Sequence, residues 1–195
     1  MKKVLFILIT LCCGVVAISQ PDTALNRRLN SFIKANSRMD FEKVLDYTYP
    51  KLFTIAPRDQ MLDLLKKTFD NEQMTMKLDS PQIDFVYPVF QLQKGSFAKI
   101  LYSMKMMMIF KTKEIDTAKK KEKSELMFST MKSQFGEKEV RMDSNGNIIV
   151  HINSMMVGVK DEYAKEWCFV NFKDDDPVNS QLFSKEVIDK LTTYK

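Results

Sequence analysis

Fifteen residues near the middle of the chain decide its fold: Phe97-Ala98-Lys99-Ile100-Leu101-Tyr102-Ser103-Met104-Lys105-Met106-Met107-Met108-Ile109-Phe110-Lys111. Every even position from 98 to 110 holds an apolar residue, whereas the odd positions mix apolar residues with lysine and serine. Successive side chains of a strand point to opposite faces of a sheet. The pattern therefore predicts one long strand with a fully buried face and a partly solvated face.

Three helices are predicted before this strand, because apolar residues there recur at intervals of three and four. The residues expected to start them are of types that cap or open helices, namely Asp22 or Thr23, Asp40, and Pro57. Pro50 is expected to end the short second helix.

The apolar period changes to two after the third helix, which predicts strands. Residues 74–78 are expected to form one strand, Ser80-Pro81 a turn, and residues 83–92 a second strand that Pro88 interrupts. A turn at residues 94–96 then leads into the long strand.

A charged helix and more strands are predicted after the long strand. The helix is expected to begin at Asp116 and to end before Gly136. Strands at about 138–143 and 147–157 flank Asn145-Gly146, a pair typical of hairpin turns. The remaining expected elements are a strand at 165–172, an acidic loop at 174–176 and a helix at about 184–191.

This order predicts one α+β domain, in which N-terminal helices pack on a curved antiparallel sheet. The segments Phe32-Ile33-Lys34-Ala35-Asn36 and Asp40 to Leu52 give a first helix, a short step and a second helix that ends near a proline. With the helix at 59–69 and the long strands, they resemble the NTF2-like (SnoaL-type) superfamily. The resemblance implies a cone-shaped sheet whose wide end is closed by helices. The charged helix at 116–135 departs from it, since the family usually has a tight hairpin there.

Residues 1–19 have the parts of a secretory signal peptide in order. Lys2-Lys3 precede an apolar segment at residues 4–16, and small residues follow before Gln20. The segment has 13 residues, fewer than the ~20 that span a membrane. We therefore expect cleavage after Ser19, a mature domain at 20–195, no membrane span after processing, and a location in the periplasm or outside the cell.

The mature domain is expected to be nearly neutral. Loss of the leader leaves 28 basic against 25 acidic residues, a net charge of about +3, which disfavours nucleic acid as a partner. Neither Cys12 nor Cys13 follows the small residue that a lipoprotein signal requires, which disfavours a lipid anchor. Cys168 then remains alone, without an internal disulfide. Its apolar neighbours predict a buried thiol, with a reactive thiol as the alternative.

Aromatic and methionine side chains are the candidates for a ligand pocket. On the inner face of a cone-shaped sheet they would line an apolar cavity with a few polar groups, which is the usual form of a small-molecule site. The candidate residues are Tyr47, Tyr49, Tyr102, Met104, Met106 and Trp167. The alternative is that they only pack the core.

His151 is the single histidine and the candidate catalytic residue. It lies in a predicted strand, on the same side as Ile149 and Asn153. General acid–base catalysis usually needs a carboxylate beside the imidazole, and Asp46 and Asp84 are possible partners. The alternative is a half-exposed strand residue with no chemical role.

No metal or cofactor motif stands out. Met104, Met106 and Met108 share one strand face, where thioethers could bind Cu(I), but a core wall explains the same pattern. The sequence has no glycine-rich phosphate loop, no H-E-x-x-H and no C-x-x-C. We therefore expect no metal and no cofactor.

The stretch from Lys111 to Lys123 holds six lysines and three acidic residues. It predicts a solvated helix face, or a face that docks on an anionic surface. The apolar second half of the same helix is expected to pack on its own sheet or to form a dimer face.

The leading hypothesis is an exported, non-enzymatic domain that binds a small apolar ligand or a protein partner in the cell envelope. The alternatives are a SnoaL-like acid–base enzyme that uses His151 and a structural module that forms a homodimer.

Overall fold

The computed structural model describes residues 22–111 and 117–194. Between 117 and 135 it describes the side chains of residue 122 and of residues 124–135. The predicted leader, the expected helix start at Asp116, and the side chains of all lysines in the lysine-rich stretch except Lys111 lie outside the described residues.

Six α-helices and six strands make up the regular structure of the described chain. The helices are α1 (Thr23–Ser37), α2 (Phe41–Asp46), α3 (Arg58–Phe69), α4 (Thr117–Phe135), α5 (Pro177–Leu182) and α6 (Lys185–Thr193). The strands are β1 (Met74–Val86), β2 (Phe90–Leu92), β3 (Gly95–Phe110), β4 (Val140–Met142), β5 (Ile148–Lys160) and β6 (Cys168–Phe172). A short 3-10 helix, Pro50–Thr54, connects α2 to α3.

The strands form one open, curved antiparallel sheet with β3 and β5 at its centre. β1 and β2 follow each other along one edge of β3, whereas β4 and β6 pair with opposite ends of the far edge of β5. β3 and β5 pair from Ser96↔Lys160 to Met108↔Ile148 without a register shift. Because directly opposed residues lie on the same face, this long pair assigns the central side chains to one of two faces.

The first face, called the α1 face below, is covered by two helices. Leu25 of α1 packs in a cluster with Ile100, and Met131 of α4 packs in a cluster with Met108 farther along the same face. The apolar half of α4 therefore packs on its own sheet, which was one of the two sequence-based alternatives. Leu126 of α4 points away and is exposed.

The opposite face, called the α6 face below, is covered over about half its length. Val187 and Leu191 of α6 pack in one cluster with Phe97 and Val159. All four side chains are buried. The expectation of a partly solvated second face is therefore correct for the later part of β3 and wrong for its start, because the C-terminal helices cover the start.

The burial of the α1 face also differs from the prediction. Ala98, Ile100 and Tyr102 are buried, but Met104 and Met106 are only half-buried. Met104 packs beside the α1 cluster and Met106 beside the α4 cluster. The two methionines thus lie at the junction between the two covered areas, so this face is not buried throughout.

Local sequence signals predicted most helix starts correctly. Asp22 Oδ1 accepts from the amides of Ala24 and Leu25, both at 2.9 Å, and caps α1. Asp40 caps α2, and its hydrogen bond with the Lys43 ammonium lowers the pKa of the Asp40 carboxyl. The predicted hairpin between β4 and β5 forms, with Gly146 at a φ of 77°.

Two predicted features are wrong. Ser80-Pro81 is not a turn between strands, because β1 continues through it and both halves pair with β3 across register shifts. At the first register shift, between Asp79 and Gln82, Ser80 adopts a φ of 52°. The acidic loop leads directly into an unpredicted helix, α5, which Asp176 caps through the Val178 amide at 2.9 Å.

One set of polar contacts joins α1 to the segment before β6. The Trp167 indole Nε1 donates to Asp22 Oδ2 at 3.1 Å, and the Arg28 side chain donates through Nε to the Trp167 carbonyl at 2.6 Å. Arg28 also forms an ion pair with Glu166. Trp167 is only 2% exposed, so Asp22 both caps a helix and satisfies a buried indole.

The double role of Asp22 predicts unequal costs for two substitutions. Asp22→Asn keeps a capping oxygen but loses the Trp167 acceptor, whereas Asp22→Ala loses both. We expect the free energy of unfolding to fall by about 1 kcal/mol for the asparagine variant and about 2 kcal/mol for the alanine variant. Urea unfolding followed by circular dichroism measures both. An asparagine variant as stable as the unaltered protein would show that the indole contact contributes nothing, and equal losses in the two variants would show the same of the cap.

Candidate functional site

Tyr49 is a core residue and not part of an open pocket. Its side chain is buried, and its hydroxyl donates to Asp161 Oδ2 at 2.5 Å. Its ring stacks on Phe183 with centroids 6.0 Å apart. Burial, followed by the contact with the Asp161 carboxylate, raises the pKa of the Tyr49 phenol.

The other predicted pocket residues lie on the α1 face or at its edge. Tyr47, Tyr102, Met104 and Trp167 belong to the α1 cluster, whereas Met106 packs with the α4 cluster. The Tyr102 hydroxyl donates to the Asn171 side-chain oxygen at 3.1 Å, and burial raises the pKa of the phenol. The Arg28 guanidinium lies 4.8 Å from the centre of the Tyr47 ring. The fold thus brings four of the six together and separates Tyr49 and Met106 from them.

His151 lies on the α6 face, directly opposite Lys105 of β3 and beyond the area that α6 covers. It is half-exposed. Within residues 22–111 and 117–194, no hydrogen bond joins its imidazole to a carboxylate. The suggested partners have other contacts, because Asp84 accepts from the Ser103 hydroxyl at 2.8 Å and Asp46 pairs with Arg58 at 2.8 Å.

Neither a metal-ligand cluster nor a membrane-spanning helix occurs in the described chain. Its His, Cys, Asp and Glu side chains form no group of three that could hold a metal ion. None of its helices combines the length and the apolar composition that crossing a bilayer requires.

A groove with a volume of about 330 Å³ opens on the α6 face beside the end of α6. Side chains from β3, β5, β6 and α6, and from the segment after β6, surround it. They include Lys99, Leu101, Met155, Phe172, Lys173, Asp174 and Thr192.

An apolar row crosses four strands, and three of its members, Leu101, Met155 and Phe172, form the floor of this groove. Phe85 of β1 lies opposite Leu101, Leu101 lies opposite Met155 of β5, and Met155 lies opposite Phe172 of β6. Directly opposed residues are close enough for their side chains to touch. Phe172 is buried at 2% exposure, Leu101 and Met155 are half-buried, and Phe85 is 52% exposed. The row therefore runs from the core to the surface.

The groove lies at the boundary between the covered and uncovered halves of the α6 face. On the covered side, the Lys99 ammonium donates to the Tyr194 carbonyl at 2.9 Å and so holds the chain after α6 against β3. The Tyr194 ring packs 5.8 Å from the Tyr87 ring. On the uncovered side the next opposed pair is polar, Ser103 with Asn153. Leu101 and Met155 thus remain partly open because α6 ends before it covers them.

Sequence reasoning missed every residue of this groove. The sequence marks Leu101 only as an apolar residue on the strand face that is predicted to be partly solvated. The groove depends on the register of four strands and on where α6 ends, and neither follows from local residue patterns.

No protein-family model matches the chain, and a search of the curated proteins finds no significant match. The fold and the groove define an α+β domain with an open six-stranded antiparallel sheet and an apolar surface site.

Cys168 provides a test of the packing of the core cluster that also contains Phe172. Its thiol is buried, and burial raises its pKa. Because the thiolate is the reactive form, we expect thiol reagents to label Cys168 at least 100-fold more slowly in the folded protein than in urea. The measurement is the rate of Ellman's reagent cleavage in protein that lacks residues 1–19. Labelling at the rate of a free thiol would support the reactive-thiol alternative.

Proposed function

We propose that the protein is an exported, non-enzymatic domain that binds a small apolar ligand in the groove beside the end of α6. The observation that carries this proposal is the apolar row, whose two central members, Leu101 and Met155, are half-buried beneath an opening. Small-molecule sites are concave and mostly apolar, with a few polar groups. The groove has this composition, since its floor is apolar and its charged residues stand at the rim.

The size of the groove supports a small ligand. Ligand sites range from roughly 300 to 1,000 Å³, and about 330 Å³ lies near the lower end of this range. Exposed Phe85 continues the apolar floor beyond Leu101. A ligand longer than the groove could therefore keep apolar contact outside it.

Export is supported by the leader-like sequence of residues 1–19. An NTF2-like relationship is supported by the element order, in which three helices precede the long strands and α1 packs on one face of the curved sheet. In that relationship α4 would be an inserted helix, because it occupies the connection between β3 and β4 where the family has a tight hairpin. We propose both assignments on these grounds.

A substitution at the mouth of the groove tests the proposal. Thr192 is an exposed residue of α6 that lines the groove, and its neighbour Thr193 is also exposed but does not line it. We expect N-phenyl-1-naphthylamine, an uncharged apolar fluorophore, to bind the unaltered protein saturably. Thr192→Trp should weaken this binding at least tenfold, because the indole fills the opening.

Thr193→Trp is the matched control, since it adds the same side chain one position along the same helix. It should leave the dissociation constant within twofold of the unaltered value. Fluorescence titration measures both variants, and thermal unfolding confirms that both fold. Equal affinity of the two variants for the fluorophore would rule out the groove as the binding site.

A further inference from the structure

We infer that the groove prefers a single-chain amphiphile with a carboxylate head, which lies between Lys99 and Lys173 while its tail covers Leu101 and Met155. This inference rests on the proposed function and adds the chemical class of the ligand.

Lys99 is a positioned cation at the edge of the apolar floor. Its ammonium donates to the Tyr194 carbonyl at 2.9 Å and lies 5.0 Å from the centre of the Tyr87 ring. An ammonium has three donors, so this single hydrogen bond leaves two for a ligand. Because Lys99 precedes Leu101 by two residues on the same strand, its head is on the same face as the floor.

Lys173 supplies the second cation. Its main chain is fixed, because its carbonyl accepts from the Asn179 side-chain amide at 2.7 Å and Asn179 is buried. In the described part of the chain, the Lys173 ammonium has no hydrogen bond or ion pair. It directly follows Phe172, the buried end of the apolar row. Lys173 is exposed and lines the groove, so it supplies a second cation at the rim.

Asp174 is the opposing charge, since it also lines the groove. Two lysines and one aspartate give the rim a net charge of +1. An anionic head is therefore favoured over a neutral head, and a cationic head is disfavoured. An extended tail directed toward Phe85 keeps apolar contact along the row, which favours a single chain over a bulky polycyclic molecule.

The test compares three octyl compounds that differ only in the head group: octanoate, 1-octanol and octylamine. Each displaces bound N-phenyl-1-naphthylamine from the protein at neutral pH and low salt. We expect octanoate to bind about fivefold more tightly than octanol, and octylamine to bind more weakly than octanol. Added salt should reduce the affinity for octanoate and leave that for octanol unchanged.

Charge variants then locate the head group. Lys99→Gln and Lys173→Gln should each weaken the binding of octanoate about threefold without changing the binding of octanol. Asp174→Asn should strengthen the binding of octanoate. Lys105→Gln is the matched control, because Lys105 lies on the same face of the same strand, six residues from Lys99. That spacing is about 20 Å, beyond the Debye length of about 8 Å at physiological salt.

The outcomes separate the two proposals. If octanoate and octanol bind equally, or octylamine binds best, or no octyl compound displaces the fluorophore, the carboxylate inference is wrong while groove binding stands. Lys173→Gln is an exposed and structurally neutral substitution. An equal loss of affinity for octanoate and for octanol in this variant also overturns the carboxylate inference. If Thr192→Trp leaves the affinity for the fluorophore unchanged, the proposed function itself is wrong.

Discussion

The structure depends on the pairing of β3 with β5. These strands remain in register from Ser96↔Lys160 to Met108↔Ile148, and every other strand pairs with one of them. A slip of one residue would move each central side chain to the opposite face. Ile100 would then leave the α1 cluster, and Phe97 would leave the cluster that α6 covers. Both helical layers therefore require this single register.

The same register creates the groove. It aligns one apolar residue from each of four strands into the row that ends at Phe172. The helices cover this face only as far as the chain after α6, which Lys99 holds through the Tyr194 carbonyl. Beyond Leu101 the next two opposed pairs on this face are polar, Ser103 with Asn153 and Lys105 with His151. An apolar strip at the edge of a covered area is where a small ligand can gain burial without displacing the core.

Much of the fold could be predicted because its signals are local. Aspartate caps at Asp22 and Asp40, the Asn145-Gly146 hairpin and the two-residue period of β3 each act within a few residues. The irregularity at Ser80-Pro81 was predicted as a turn, because the same residue types serve turns and bulges.

The candidate site could not be predicted in the same way. The aromatic residues Tyr49 and Trp167 form core contacts with Asp161 and Asp22, which lie far away in sequence. Leu101 is only half-buried because α6 ends before it covers this side chain.

Methionine methyl signals test the central claim most directly, because Met155 lies in the groove whereas Met104 and Met106 lie on the α1 face. In protein with ¹³C-labelled methionine methyl groups, titration with N-phenyl-1-naphthylamine should shift the Met155 signal saturably through ring currents. The signals of Met104 and Met106 should remain in place. Saturable shifts of Met104 and Met106 with an unchanged Met155 signal would contradict the account and would place the ligand among the α1-face residues first suggested by the sequence.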